Sequence, residues 1–258
     1  MKGSIVTVGI GPGSPEHLTP AARKAIEVAD IILGYTTYLR LIDGLAPGVP
    51  RKASGMKEEV SRVDEAIDLA QSGMRVALIS GGDPGIYGMA GLVYEVLRQR
   101  NGEAIDVAVV PGVSALNAAA ALLGAPLMTD FAAISLSDQL IARDDILRRV
   151  ELATLADFVL CLYNPRGRHR TEPFARACEI IAHHRGSQTP VGLVRAAYRN
   201  DQQVQIIDVA ALPQVEVDMT TVIIVGNSRT FTRDGKMVTP RGYGDKYDLG
   251  EGTTDKEL

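Results

Sequence analysis

The feature that most constrains the fold is a change of apolar period that repeats along the chain. Short runs rich in Val and Ile alternate with longer runs whose apolar residues recur at helical spacing. Residues 5–10, 31–33, 75–79 and 105–110 are expected to be strands. Between them, Thr19-Pro20 supplies an N-cap and a proline at the first helical position, opening a helix through Ala29. Val60, Val63, Ile67 and Ala70 share one helical face, and Gly73 is placed to end that helix. Residues 88–98 and 114–123 are expected to be helical. The alternation then restarts, with strands at 131–136, 158–163, 191–194, 204–207 and 221–225, and helices at 144–155 and 171–184. Alternation of this kind implies an α/β class, with sheets covered by helices. The run at 204–207 follows Val194 too soon for a helical crossover, so the second sheet should be mixed.

The chain has 258 residues, enough for one large domain or two modest ones. The pause at Gly124-Ala-Pro126 divides the alternation. The expectation is therefore an N-terminal α/β domain at 1–124 with a mostly parallel sheet and a C-terminal α/β domain at 125–229 with a mixed sheet. A polar tail at 230–258 should be disordered toward its end.

A net charge of −4 argues against a general affinity for nucleic acid or an acidic membrane. Twenty-three consecutive positions, 107–129, carry no charge, long enough to cross a bilayer at about 20 residues. They contain Pro111, Gly112, Asn117, Gly124 and Pro126, and aspartates rather than basic residues flank them. They are expected to form a buried strand, a turn, a buried helix and a linker. The N-terminus enters a strand at once, without a signal-peptide core. Cys161 and Cys178 sit in apolar segments with no metal-ligand spacing, as reduced core residues of a cytoplasmic protein would. No metal site is expected.

Glycine-rich loops follow several of these strands. Gly9-Ile-Gly-Pro-Gly-Ser14 misses the dinucleotide fingerprint by a serine where the third glycine belongs, and Pro12 removes an N–H that a pyrophosphate would use. Asp30 precedes the second strand, whereas a ribose-binding acid belongs at its far end. No lysine follows a glycine loop at phosphate-binding spacing. In Ser80-Gly-Gly-Asp-Pro-Gly85 the single acid, Asp83, repels phosphate and suits hydroxyls or positive charge. Either it meets such a ligand, for which S-adenosylmethionine has the right groups, or it is a turn cap before Pro84. Ser114, in Pro111-Gly-Val-Ser-Ala115, can cap the next helix. Three such loops point to one shared crevice at the carboxyl ends of the strands.

Taken together these blocks resemble the tetrapyrrole methylase family, the class III methyltransferases. Val8-Gly-Ile-Gly-Pro-Gly13 with Leu18-Thr19, Ser80–Gly85, Pro111–Ala115 and Gly124-Ala-Pro-Leu127 match in order. Later blocks look like the branch that methylates C17 of a corrin precursor and contracts its ring. They are Ile134-Ser-Leu-Ser-Asp138, Leu162-Tyr-Asn-Pro-Arg166, Val191-Gly-Leu-Val-Arg195 with Tyr198-Arg199, Thr220–Ser228, and Asp234-Gly-Lys-Met-Val-Thr-Pro-Arg-Gly-Tyr243. The chain departs from that branch at Ile141-Ala-Arg143, where a Trp is common, and at Ala196, where Asn is common.

The resemblance implies two α/β domains, a homodimer, and S-adenosylmethionine, released as S-adenosylhomocysteine, in the cleft between domains. It places Pro12, Gly82, Asp83, Ile86, Tyr87, Ser114, Ala115, Tyr163, Ala196 and Thr221 at the cofactor. The acceptor would be precorrin-3B or cobalt-precorrin-3, carried to the precorrin-4 level in cobalamin synthesis. Ring contraction needs proton transfer, for which Asp138, Tyr198 and His169 are candidates. A polycarboxylate acceptor needs arginines. Arg166, Arg168 and Arg170 follow a strand end, and Arg195 and Arg199 form a second group; Arg51, Lys52 and Lys57 form a third cluster, any of which could equally be a solvated face. His183 and His184 are neighbours on a helix, point apart and make a poor metal pair. His17 is expected to cap a loop, and Tyr35 and Tyr38 to line a core or a wall. The alternatives are a sister methylase of another ring position, a dinucleotide-binding oxidoreductase, and a non-catalytic binding protein.

Overall fold

The computed structural model describes residues 3–100, 105–167 and 170–249. Two of the candidate residues, Arg168 and His169, lie outside the described residues, as does the end of the tail from residue 250. The chain divides into two compact units: residues 3–118 with 196–202, and 119–195 with 203–249.

The first unit is built from β1 (Ser4–Gly9), α1 (Pro20–Glu27), β2 (Ile31–Tyr35), α2 (Thr36–Leu41), β3 (Arg51–Ser54), α3 (Glu59–Gln71), β4 (Arg75–Ser80), α4 (Ala90–Gln99) and β5 (Asp106–Val110). Its sheet runs in the order β3-β2-β4-β1-β5, every neighbouring pair parallel. Parallel strands are buried on both faces, and their residues alternate between two cores. Val76 and Leu78 of β4 pack with Val63, Ile67 and Val93 from α3 and α4. Their neighbours Ala77 and Ile79 pack with Ala22 and Ile26 of α1 and Leu39 of α2. Each fully buried aliphatic side chain of this kind is worth about 1.5–3 kcal/mol of transfer free energy. Helix α1 begins as its sequence indicates: Thr19 Oγ1 accepts the Ala22 N–H at 3.1 Å and Pro20 stands in the first turn. At the amino end of this sheet Asp30 accepts from Arg75 Nη2 at 2.7 Å and Nε at 3.1 Å. It is thus committed to structure at the end opposite the glycine loops, which removes the residue a dinucleotide reading needed.

Helix α5 (Ala115–Leu123) carries the chain from the first unit into the second. The second unit contains β6 (Gly124–Ala125), β7 (Phe131–Ser135), α6 (Arg143–Leu155), β8 (Val159–Tyr163), α7 (Glu172–His184), β9 (Pro190–Arg195), β10 (Gln203–Asp208), β11 (Thr221–Val225), β12 (Phe231–Arg233), β13 (Lys236–Val238) and α8 (Tyr243–Lys246). Its main sheet has the order β10-β9-β11-β8-β7 and is mixed: β7 and β8 are parallel, the other pairs antiparallel. Phe174, Cys178 and Ile181 of α7 and Ile146 and Val150 of α6 cover one face with Leu160, Leu162 and Ile223.

Four regions differ from the sequence expectation. The run before Pro111, expected to be a buried strand, is the edge strand β5, and its residues are exposed or half-buried. The charged segment Arg51-Lys-Ala-Ser54 is an edge strand, and Thr36–Leu41, earlier in the chain, form the short helix α2. Gly124-Ala125, read as a pause, is a strand that pairs in parallel with β13, through Met237↔Gly124 and Val238↔Ala125. The segment after 229, read as a polar tail, contains the β12–β13 hairpin, and its Met237 is fully buried. Among the described residues no helix is long and apolar enough to cross a membrane.

Candidate active site

Strands β4, β1 and β5 are neighbours, so their three following loops emerge side by side at the carboxyl end of the first unit's sheet. Main-chain bonds join two of them: Gly11 N donates to Gly82 O at 3.1 Å and Gly82 N to Gly11 O at 2.9 Å. The glycines are bare because the loops press on each other. A Cβ on Gly112 would lie 2.1 Å from Gly82 O, and one on Gly9 would lie 2.6 Å from Gly112 N. At both positions the space of the missing Cβ is taken up by neighbouring backbone. A Cβ on Gly82, at φ +64°, would meet nothing closer than 3.5 Å.

Asp83 ties the arrangement together. Its Oδ1 accepts from Gly85 N at 2.8 Å, an Asx turn, and its Oδ2 from Gly112 N of the β5 loop at 3.1 Å. The turn-cap reading of Asp83 is therefore correct, and the same carboxylate also faces an open cavity of about 380 Å³. That volume lies in the range of small-molecule sites, roughly 300–1,000 Å³. Thr19, Asp83, Ile86, residues 111–114 and Asn117 line it. None of these is basic, and one is an acid, so the cavity disfavours phosphate. Ser114 Oγ accepts Asn117 N–H at 3.2 Å, the expected helix cap, and donates to Asn117 Oδ1 at 2.6 Å. Asn117 had no distinguishing mark in the sequence, and Thr19 was marked there as a helix cap and in the Leu18-Thr19 block, not as a lining residue.

A second group of candidates lies on the first glycine loop. Residues 196–202 belong to the first unit, and Ala196 and Tyr198 hold φ +48° and +57°. Non-glycine residues seldom adopt such values, and they cluster at functional sites. Arg199 Nε donates to Pro12 O at 2.7 Å. The Tyr198 ring lies 3.9 Å, centroid to centroid, from that of His17, whose buried Nδ1 has no partner among the described residues. His17 is thus a stacking partner as well as the end of a 3-10 turn at Pro15–His17. Ile86 and Tyr87 are exposed, Tyr87 at φ +53°.

In the second unit, Tyr163, Arg195 and Thr221 reach one end of the main sheet, where Thr221 pairs with Arg195 in register. Asp218, which the sequence reading missed, organises that end. It accepts from Arg195 Nε at 2.8 Å, Thr220 N at 2.8 Å, Thr220 Oγ1 at 2.7 Å and Thr221 Oγ1 at 3.0 Å. Burial pushes its carboxyl up, but the hydrogen bonds from Thr220, Arg195 and Thr221 outweigh that and hold it at about 2.

The remaining arginine candidates are turned toward protein. Arg170 donates to Leu136 O at 2.6 Å and Asn164 O at 2.9 Å, and its Nε lies 3.8 Å from Asp138. The guanidinium of Arg166 lies 5.0 Å from the centroid of buried Phe174, and its buried Nε has no hydrogen-bond partner among the described residues. Arg51 caps the end of α2 and the turn after it, with Ile42 O at 3.1 Å, and Lys52 pairs with Glu65, so two of the three cations of the third cluster are tied to structure, while Lys57 is exposed. His183 and His184 meet edge to face, and no group of acids, histidines and cysteines suited to a metal occurs among the described residues.

A parallel α/β unit followed by a mixed one, with two glycine loops lining a cavity that bears one acid and no base, is the build of a small-molecule enzyme. Residues 4–213 match the family of Tetrapyrrole (Corrin/Porphyrin) Methylases, and the chain belongs to it. It is 47% identical, over 97% of its length, to the cobalt-factor III methyltransferase of Priestia megaterium, of which it spans 47%. It is 46% identical to the probable cobalt-factor III C(17)-methyltransferase of Salmonella typhimurium, over 92% of this chain and 98% of that one. Among solved structures, the methyltransferase CobJ superposes with a TM-score of 0.88 at 33% identity, covering 92% of this chain and 100% of that one. Uroporphyrin-III C-methyl transferase from Thermus thermophilus, complexed with S-adenyl homocysteine, gives 0.64 at 25% identity, covering 87% and 92%.

Proposed function

We propose that the chain transfers a methyl group from S-adenosylmethionine to C17 of a corrin precursor and contracts the macrocycle, a step of cobalamin biosynthesis. The observation that carries the reading is the cavity beside the three joined glycine loops, which presents one carboxylate and no basic residue. A ligand with hydroxyls, an ammonium and a sulfonium fits such a lining; a pyrophosphate does not. The names borne by the two relatives favour a cobalt-containing acceptor, cobalt-factor III, over precorrin-3B.

When bound, S-adenosylmethionine supplies an electrophilic methyl group. The work left to the protein is alignment and exclusion of water. Asp83 holds the β4 and β5 loops in register and offers its remaining lone pairs to the cavity. Ser114, Thr19 and Asn117 add polar contacts, with Ile86 as an apolar wall. Gly82, Pro12, Tyr87, Ala115 and Ala196 complete the proposed cofactor contacts of the first unit. For the proton transfers of ring contraction we take Tyr198 ahead of Asp138, whose carboxylate already has Arg170 Nε as an ion-pair partner at 3.8 Å. Arg199 and Arg195 are the proposed acceptor contacts, with Arg166 and Arg170 serving only if their present packing changes. The reading includes a homodimer and a cytoplasmic location, which light scattering and cell fractionation test.

The test is transfer of labelled methyl from S-adenosylmethionine to cobalt-factor III, with precorrin-3B in parallel and the product's substitution site assigned by NMR. Methylation at C17 with ring contraction is expected. Methylation at another ring carbon makes the chain a sister methylase, and no transfer to either acceptor refutes the proposal.

A further inference from the structure

Two loop glycines are bare for a reason unconnected with the cavity. A Cβ on Gly81 would lie 2.6 Å from ring atoms of Tyr38, and a Cβ on Gly13 would lie 2.8 Å from Arg199 Cγ and Nε. A phenol and a guanidinium are therefore laid onto the β4 and β1 loops, the same two loops that the paired Gly11–Gly82 bonds join. Neither group is among the residues lining the cavity.

Both are short of partners. Arg199 spends Nε on Pro12 O at 2.7 Å; its two terminal nitrogens have no hydrogen bond and no acid within ion-pair distance among the described residues. The Tyr38 hydroxyl likewise has no hydrogen-bond partner there, and its ring is held edge-on by Tyr35 at 5.4 Å. Both residues are partly exposed, so their polar ends are reachable. The charged groups that act on Tyr38 are two arginines and no carboxylate. One is Arg199. The other is Arg62, which is buried and bonded to Ser54 Oγ and Gly55 O, the latter at 2.8 Å. In a chain of net charge −4 this is a local positive field beside two idle donors. An arginine fork and a neutral O–H are together suited to the two oxygens of a carboxylate.

We propose that Tyr38 and Arg199 form a receptor for one carboxylate arm of the tetrapyrrole acceptor, with Tyr38 as a specificity-determining donor. The inference rests on the tetrapyrrole reading above and adds a subsite to it. Burial raises the Tyr38 pKa, partly offset by the charge of Arg199, so the phenol stays a proton donor at neutral pH. It binds; it does not titrate.

Tyr38→Phe keeps the ring on Gly81 and deletes only the donor. The probes are uroporphyrin III as free acid and as methyl ester, followed by fluorescence, and S-adenosylhomocysteine, followed by calorimetry. Loss of one hydrogen bond to a carboxylate should weaken the free acid about tenfold. The ester should bind wild type and variant alike, and S-adenosylhomocysteine should be unaffected. Arg199→Lys should weaken the acid at least as much, since an ammonium cannot span both oxygens while holding Pro12. The proposal is overturned if wild type does not bind the acid, if Tyr38→Phe binds it as wild type does, or if acid and ester lose affinity equally. It is also overturned if the loss falls on S-adenosylhomocysteine instead. A variant that loses the acid in a protein inactive on both corrin precursors would leave the subsite standing and remove the proposed reaction. Methyl transfer with an unchanged KM in Tyr38→Phe would do the reverse.

Discussion

Replacing Asp83 by Asn tests the central claim about the cavity, because it separates charge from shape. In the native loop Oδ1 takes the Gly85 N–H at 2.8 Å and Oδ2 takes the Gly112 N–H at 3.1 Å. An amide oxygen can keep the first bond. The amide nitrogen then faces the Gly112 N–H, so two donors meet and the β5 loop loses its tie to the β4 loop. One charge-assisted bond is lost and one donor is left unpaired, worth about 1.5–3 kcal/mol. If the register of these loops is what shapes the site, the Kd for S-adenosylhomocysteine should rise about ten- to a hundredfold. Asp83→Ala, which loses both bonds, should cost more. Calorimetric titration gives the Kd, and urea unfolding of the same samples gives the stability. A folded Asp83→Asn protein with unchanged stability and a Kd within about twofold of wild type would refute both the tie and the site.

Gly112→Ala should destabilise the protein by about 1–3 kcal/mol and abolish S-adenosylhomocysteine binding, because its Cβ would lie 2.1 Å from the backbone oxygen of Gly82; wild-type behaviour in both assays would contradict the packing of the loops. The Asp218 carboxyl is depressed to about 2, so its contribution to stability is complete above the ordinary carboxylate range near 4 and is lost as pH falls through about 2. Urea unfolding between pH 5 and 2 should show a shallower acid loss in Asp218→Asn, and parallel curves would deny Asp218 that role. Burial pushes Cys161 and Cys178 up to about 12, so both thiols should resist alkylation in the folded enzyme near pH 8 and react on unfolding. Labelling of native protein within minutes, read by mass, would place a thiol at the surface.

The sequence showed most of the first unit because parallel strands, buried on both faces, leave uninterrupted apolar runs. Val76–Ile79 is such a run, and all four residues are buried. The strand β3 leaves no such trace. It sits at the sheet edge with one neighbour, and its charges are typical of edge strands. The hairpin in the C-terminal segment did carry a local signal. Asp234-Gly235 adopts φ +50° and +70°, the two positive values a type I′ turn requires, and Asp-Gly is a favoured pair for it. The polarity of its surroundings concealed it: the hairpin buries Met237 while Phe231, Thr232 and Arg233 stay exposed.

The site divides along a similar line. The three glycine loops were legible together, since consecutive βα turns of a parallel sheet emerge on one side whatever the strand order. What each glycine is for was not legible, because that depends on which loops become neighbours. Gly9 and Gly112 serve each other and Gly82, while Gly13 and Gly81 serve Arg199 and Tyr38. The arginines show the same limit more sharply. Arg166, Arg170, Arg195 and Arg199 are alike in a sequence, as cations after strand ends. In the fold, one lies on an aromatic ring and one is bonded to main-chain carbonyls. One is paired with an acid 23 positions away, and one keeps two donors idle. Charge density marks where a polyanion could bind, but only the partner each cation has already found decides which of them is free to bind it. That distinction makes Tyr38 and Arg199 the place to begin mutating, ahead of the denser cluster at 166–170.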